Sequence, residues 1–366
     1  MAFNKLFLNY PITTATNIWK GFYRMASESK SPRLVQTIGT HSGIFHCDEA
    51  LACFMLKQLP EYKDAEIVRT RDQSVLDTCD IVVDVGGTYN PKTNRFDHHQ
   101  RSFTETLSTV RPDLAKDKKI KLSSAGLIYA HFGMQVLSEV LIQNKCDVST
   151  TKLSAVYLHV YDKFIEEIDA IDNGEPICAD GQQLYHINSH VSERVKKINP
   201  QWNSKETASP DKLFQRAMEL VGGEFVEIVL EAGTVWWPGR EIVLDGIENR
   251  NNLHASGQII ELSERCPWVE HLFGLENELG IPGLVKFVLF QDRDGSCRVQ
   301  SVPIVPGSFI CRNFLHEDWR GHKDDELCEI SGINGITFCH HTGFIGGNKT
   351  KEGALEMAIK SLHSSV

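Results

Sequence analysis

The segment DIVVDVGG at 80–87 constrains the fold of this chain more than any other. Its apolar run is continuous rather than alternating, as in a strand covered on both faces, and the paired glycines end it sharply. Strands of that kind belong to parallel sheets connected by helices. The surrounding sequence agrees. LVQTIGT (34–40) and AEIVRT (65–70) are further short β-rich runs, and NRFDHHQRSF (94–103) adds an extended piece. Between the first two runs, HSGIFHCDEALACFMLKQL turns through Gly43 into a stretch with Ala50, Leu51, Phe54, Met55 and Leu59 at helical spacing. SSAGLIYAHFG (123–133) predicts a helix starting near Ser123 or Ser124 and stopped at Gly133. VYLHVYDKFIEEIDAIDNG (156–174) predicts a helix stopped by Asn173-Gly174, and a 3.6-residue period predicts another over 206–232. The fold class expected is α/β, with a parallel-sheet domain first.

After WWPGR the character changes. EIVLDG, GQIIEL, LVKFVLFQ, CRVQSVP and GITFCH are short β-like runs, and KEGALEMAIKSLH closes as a helix. This predicts three regions: 1–33 as a mitochondrial presequence or tail, 34–231 as the parallel-sheet domain, and 232–366 as a smaller α+β domain. Residues 1–33 carry five basic residues against the single acid Glu28, the cationic pattern of an import signal. Initiation at Met25, where that pattern ends, would yield a chain without the signal and so a second compartment. Beyond Arg33 stand 33 basic and 47 acidic residues, a net charge near −14. Such a body repels polyphosphate over most of its surface, which excludes a whole-surface duplex binder and confines any nucleic acid to a groove or to cations. The ten cysteines show no metal-finger or redox spacing, so free thiols in a reducing compartment are expected. With a mean hydropathy of −0.24 and no uncharged apolar run of about 18 residues, no membrane span is expected.

Acids and histidines cluster at the ends of the expected strands. His41, His46, Asp48 and Glu49 follow the first, Asp80 and Asp84 flank the buried one, and Asp97, His98 and His99 end another. Loops beyond the carboxyl ends of parallel strands share one crevice, so these groups are candidates to converge around metal. Asp84 matters most: a carboxylate ending IVVDV loses several kcal/mol of hydration unless a cation neutralises it, and no Lys or Arg is near in sequence. The plain alternatives are that Asp84 caps the Gly86-Gly87 turn or pairs with a distant Arg, that His98 and His99 form a solvated turn, and that His41 is a hydrogen-bonded loop residue. Imidazoles with several carboxylates favour Mn²⁺ over Ca²⁺, and paired ions suit phosphoester hydrolysis.

THSGIFHCDEA, DIVVDVGG, FDHH and IDAIDNG resemble the four motifs of the DHH phosphoesterase superfamily. IGTHSGIFHCDEALA, RTRD, DIVVDVGG, FDHHQRSF, KLSSAGLIY, EIDAIDNG and GFIGGNKTKEGAL together resemble the MYG (melanocyte proliferating gene) exonuclease family, from about Ile38 to the last helix. The resemblance implies a two-domain, metal-dependent phosphodiesterase. It further implies a 3′–5′ RNA exonuclease acting in mitochondrion and nucleus, with the cytoplasm as a further compartment. Its partners would be single-stranded RNA ends or oligonucleotides, and its cofactors two divalent ions, Mn²⁺ first and Mg²⁺ as the alternative.

Carried residue by residue, the resemblance makes His41 and Asp48 ligands, with His46 where an Asp is usual and the spacing longer by one. That exchange removes one negative charge and softens the first site. Asp84 should bridge both ions, His98 should complete the second, and His99 should stand near the scissile phosphate with Asp97 orienting the pair. The fourth motif leaves Asp169 and Asp172 both open. Glu49 is a candidate base, an orienting acid or a helix-start acid. Cys47 reads as a packed thiol. Trp236 and Trp237 read as packing rather than base-stacking residues.

In HHTGFIGGNKT, the glycines Gly346 and Gly347 with Lys349 and Thr350 read as a phosphate-gripping turn before the last helix, with His340 or His341 nearby, or as an ordinary helix start. Arg69, Arg71 and Arg101 are candidates to neutralise phosphate, or surface ion pairs. Two other functions stay open: a phosphoesterase for pyrophosphate, cyclic dinucleotides or oligonucleotides, and a non-catalytic regulatory scaffold.

Overall fold

The structure is a computed structural model describing residues 35–178, 181, 183–203 and 209–363. The presequence expected over 1–33, with Met25, and the first residues of the helix expected from 206 lie outside the described residues.

The first sheet contains β1 (Thr37–Thr40), β2 (Glu66–Arg69), β3 (Ile81–Val83), β4 (Tyr89–Asn90) and β5 (Arg95–Phe96) in the order β2-β1-β3-β5-β4. All neighbours are parallel except β4, which pairs antiparallel with β5. Register decides where the polar loops meet. Gly39 is opposite Val82, so His41 and Asp84, each two residues on, leave the sheet side by side. Val83 is opposite Phe96, which brings Asp97 beside Asp84. Asp80, at the other end of β3, accepts from the Thr37 N–H at 2.8 Å and hydroxyl at 2.9 Å.

Helix α1 (Cys47–Gln58) crosses over after β1 and packs against α2 (Ser124–Gln143). Ile38, Leu51, Met55, Ile81, Phe96 and Leu127 are all within 1% of complete burial in this core. Helix α2 starts at Ser123, as expected, but runs ten residues past Gly133. That glycine is required by contact, since a Cβ there would lie 2.8 Å from the Tyr157 ring and 3.1 Å from Tyr129, which stack at 4.6 Å. By length and composition α2 would cross a membrane, yet most of it is buried as the core helix of this layer.

Helix α3 (Thr150–Val160) passes through a π-helical turn, Tyr161–Ile165, into α4 (Glu166–Asp172), which ends at Asn173 and at Gly174 with φ +70°, as the sequence indicated. Helix α5 (Pro210–Glu231) passes through a second π-helical turn, Ala232–Trp236, and leads to α6 (Gly239–Glu248). The β-like run EIVLDG is therefore helical. Four apolar residues in a row do not distinguish a strand from a buried helix segment, and here Val243 and Ile247, four apart, face Ile260 and Leu272.

The second sheet, β6 (Ile259–Glu261), β7 (Phe287–Gln291), β8 (Cys297–Ser301), β9 (Ile336–Cys339) and β10 (Ile345–Asn348), has the order β6-β7-β8-β10-β9. It is antiparallel apart from β6 with β7. Helices α7 (Val269–Glu278), α8 (Asp324–Ser331) and α9 (Lys351–His363) complete this region.

Candidate metal centre

The site is built where β1, β3 and β5 end. His46 precedes α1 in extended conformation, and the Glu49 carboxylate accepts its N–H at 2.9 and 3.0 Å. This first turn fixes Asp48 and Glu49, both almost fully buried, facing the sheet. Asp84 adopts φ +57°, the left-handed region that side chains other than glycine and Asn/Asp rarely enter. Strain of that kind concentrates at functional sites.

Around Asp84 the motifs converge. His41 Nε2 lies 2.9 Å from Glu49 Oε1 and 3.4 Å from Asp84 Oδ2. His98 Nε2 lies 3.3 Å from Asp84 Oδ1 and 3.2 Å from Asp172 Oδ2. Ser124 donates its hydroxyl to Asp84 Oδ1 at 3.0 Å and its N–H to Asp48 Oδ2 at 3.3 Å. Three groups offer ligand atoms within 4.8 Å of one another: His41, His46, Glu49 and Asp84; Asp84, His98 and His99; His46, Asp48 and Asp172.

The donor set fits divalent ions. Asp48 Oδ1, His98 Nδ1 and His98 Nε2 are buried without a hydrogen-bond partner. The His98–carboxylate distances are short enough for ion pairing, but those atoms are not aligned as hydrogen bonds. Burial pushes the Asp48 carboxyl well above its ordinary range, and Asp84, Asp172 and Glu49 push it further. Burial alone would lower both imidazoles, but Asp84 and Glu49 raise His41 to about 10, and Asp172 with Asp84 raises His98 to about 10. Burial would raise Asp84, yet His41 and His98 hold it far below the carboxylate range. Positive charge is demanded at this spot, and bound metal would supply it in place of those protons.

At the rim, His99 Nδ1 meets Asp97 Oδ1 at 2.7 Å while Asp97 Oδ2 accepts from the Gly87 N–H at 2.6 Å. The hydrogen bond to Asp97 makes the 63% exposed His99 more basic than usual. Cys47 is buried, and burial raises its thiol to about 12, as suits packing.

Of the two acids left open, Asp172 faces His98, and Asp169 does not join any of these groups. Asp169 is fully buried and its Oδ1 accepts from the Ser123 N–H at 2.9 Å, the Ser123 hydroxyl at 2.7 Å and the Gly126 N–H at 3.1 Å. The Tyr161 hydroxyl lies 3.3 Å from Oδ2. Burial raises Asp169 to about 7 against the lowering effect of Ser123.

The phosphate candidates scatter. Arg69 donates to the Gly43 carbonyl at 2.9 Å and is held over the Phe45 and Phe214 rings, so it serves packing. Arg71 does reach the site, with Nε donating to the Ser42 carbonyl at 3.3 Å and Nη2 lying 3.2 Å from His41 Nδ1. Arg101 is exposed in the turn after FDHH. Gly346 and Gly347 lie within β10 rather than in a turn, and they are glycine because a Cβ would sit 2.6 Å from Met357 or 2.8 Å from Phe338. Thr350 caps α9 by accepting from the Gly353 N–H at 3.1 Å, the ordinary helix start. Lys349 and His341 are exposed, His341 beside His340 at 4.2 Å between rings. Trp236 is sandwiched between His159 at 4.0 Å and His271 at 4.4 Å, a packing role. Ser124 and Gly126 were not singled out by sequence as site residues; their signal is the close-packed small-residue run KLSSAG, which reads equally as a helix start.

The MYG1 exonuclease family model, described as an uncharacterised protein family (UPF0160), matches residues 37–362. The chain is 48% identical over 326 residues to "MYG1 exonuclease" of Homo sapiens, spanning 89% of this chain and 85% of that protein. It is 48% identical over 331 residues to "MYG1 protein" of Dictyostelium discoideum, spanning 90% and 97%. Against "MYG1 protein YER156C" of Saccharomyces cerevisiae it is 42% identical over 337 residues, spanning 90% and 96%.

Proposed function

The chain belongs to the MYG1 exonuclease family, and from that membership and the geometry around Asp84 we propose a metal-dependent exonuclease that shortens RNA from its 3′ end. The observation carrying the metal reading is the convergence of His41, Asp48, Asp84, His98 and Asp172 with buried polar atoms left without hydrogen bonds. The three groups contain the four carboxylates Asp48, Glu49, Asp84 and Asp172, whose charge two divalent ions balance. His41, His46 and Glu49 with Asp84 would hold one ion, and Asp84 with His98, next to Asp172 and Asp48, would hold the other. Mn²⁺ suits the mixed imidazole and carboxylate set, with Mg²⁺ as the alternative. When bound, the ions supply Lewis-acid stabilisation of the phosphoryl oxygens and acidify water.

The chain's own residues do the rest. Asp97 keeps His99 oriented through Nδ1, which leaves the other ring nitrogen at the rim to hold a proton for the leaving oxygen. Arg71, at the His41 side, faces the incoming phosphate as a fixed cation. The acidic exterior favours a single-stranded end over a duplex. The cationic composition of residues 1–33 supports mitochondrial delivery, and initiation at Met25 would yield a second form without it, in keeping with the nuclear address that the family resemblance implies.

The test uses chain stripped with chelator and reloaded with Mn²⁺. Expected is stepwise shortening of RNA labelled at its 5′ end, abolished by chelator and by Asp84→Asn. Faster hydrolysis of pyrophosphate or a dinucleotide than of RNA would overturn the polymer reading in favour of the small-substrate one. No phosphodiester cleavage with Mn²⁺ or Mg²⁺ would leave a scaffold.

A further inference from the structure

Asp169 is fully buried and turned away from the proposed ligand groups, yet it spends one oxygen on three donors of a single turn. That turn starts α2, and its next residue, Ser124, holds Asp84 through the hydroxyl and Asp48 through the N–H. Gly126 completes the fit: a Cβ there would lie 2.3 Å from Asp169 Oδ1 and 2.7 Å from Cγ. The turn and the carboxylate are therefore built around each other.

We propose that Asp169 is a positioning residue rather than an ion ligand, fixing the start of α2 and, through Ser124, the carboxylates of Asp84 and Asp48. This rests on the metal reading of Asp84, Asp48 and Asp172. The geometry separates the roles by chemistry. A carboxylate ligand contributes charge that balances a divalent ion, which an amide does not, whereas all three donors from the α2 turn end on Oδ1, where an amide oxygen still accepts them. An amide nitrogen in place of Oδ2 would face the Tyr161 hydroxyl, which now donates to Oδ2 and can rotate to accept.

The experiment measures Mn²⁺ stoichiometry and affinity by calorimetry, with melting curves as the check on folding. Asp169→Asn keeps the full number of ions and an affinity within about threefold of the parent. Asp169→Ala and Ser124→Ala keep the number but lose about 10–100-fold in affinity, the usual cost of removing a partner that orients ligands. Gly126→Ala, which forces Asp169 aside, matches Asp169→Ala although no reading makes Gly126 a ligand. Should Asp169→Ala or Gly126→Ala fail to fold, Asp169→Asn and Ser124→Ala still decide. Loss of an ion in Asp169→Asn, to the same degree as in Asp172→Asn, overturns the proposal and makes Asp169 a ligand. An unchanged affinity in Ser124→Ala overturns the relay. Failure of the underlying metal reading looks different: Asp84→Asn and Asp172→Asn would then bind Mn²⁺ as the parent does.

Discussion

Asp84 belongs to two of the three ligand groups, whereas Asp172 belongs to one, so neutralising them should have unequal consequences. Ligand bound only by the folded state stabilises it by about 2.7 kcal/mol per site at 100 times Kd. For 366 residues the unfolding entropy is about 0.75 kcal/mol/K, so two filled sites raise the melting temperature by about 7 °C. Asp172→Asn removes a ligand from one site and should leave about 3–4 °C of that rise at the same Mn²⁺ concentration. Asp84→Asn weakens both and should leave less than about 2 °C. The substitution is isosteric and the amide oxygen still accepts from the Ser124 hydroxyl, but His41 and His98 lose a buried partner, so each Mn²⁺ shift is read against the same variant's own melting temperature in chelator. Scanning calorimetry with and without Mn²⁺ reads both quantities. If Asp84→Asn keeps a larger Mn²⁺ shift than Asp172→Asn, the shared position of Asp84 is refuted.

Three further outcomes follow from packing and charge. Gly222→Ala places a Cβ about 2.2 Å from the Phe54 ring, where α5 meets α1, and should cost about 1–3 kcal/mol in urea unfolding, partly recovered by adding Phe54→Leu. Arg312 donates to Glu276 at 2.8 Å with both side chains buried, so Arg312→Met should cost about 3–5 kcal/mol and adding Glu276→Gln should recover much of it. Burial lowers His131 from 6.5 to about 4, so its neutral form supports the fold above pH 6.5 and that support is lost as pH falls toward 4. Melting of the chelated protein between those values should therefore depend less on pH in His131→Phe than in the parent.

The sheet and its polar edge were legible because parallel strands leave an unbroken apolar run and put their exits together. DIVVDVGG, IGTHSG and FDHH carry both signals within a few residues. What was not legible depended on partners distant in the chain. Gly133 reads as a helix stop, but its reason is the Tyr157 ring, and Gly346-Gly347 reads as a loop, but its reason is Met357 and Phe338. Asp169 and Asp172 look alike because they share a helix; only the position of α2 separates a carboxylate facing Ser123 from one facing His98. Arg69 gave no sign of its two aromatic neighbours, one of them Phe214.

The wide turn at Tyr161–Ile165 sets the phase of everything after it on that helix. A π turn accommodates one residue more than an α turn, and each residue advances a helix by about 100°. Deleting a single residue there would leave a smoother helix with better backbone geometry. Winding the same stretch as regular α-helix with every residue retained would instead swing Asp169 and Asp172 together about a quarter-turn off target, because the extra residue would then advance the helix by its own step. The irregularity is therefore the place where the backbone takes up one residue too many for an α-helix while both acids keep their angle to Ser123 and His98.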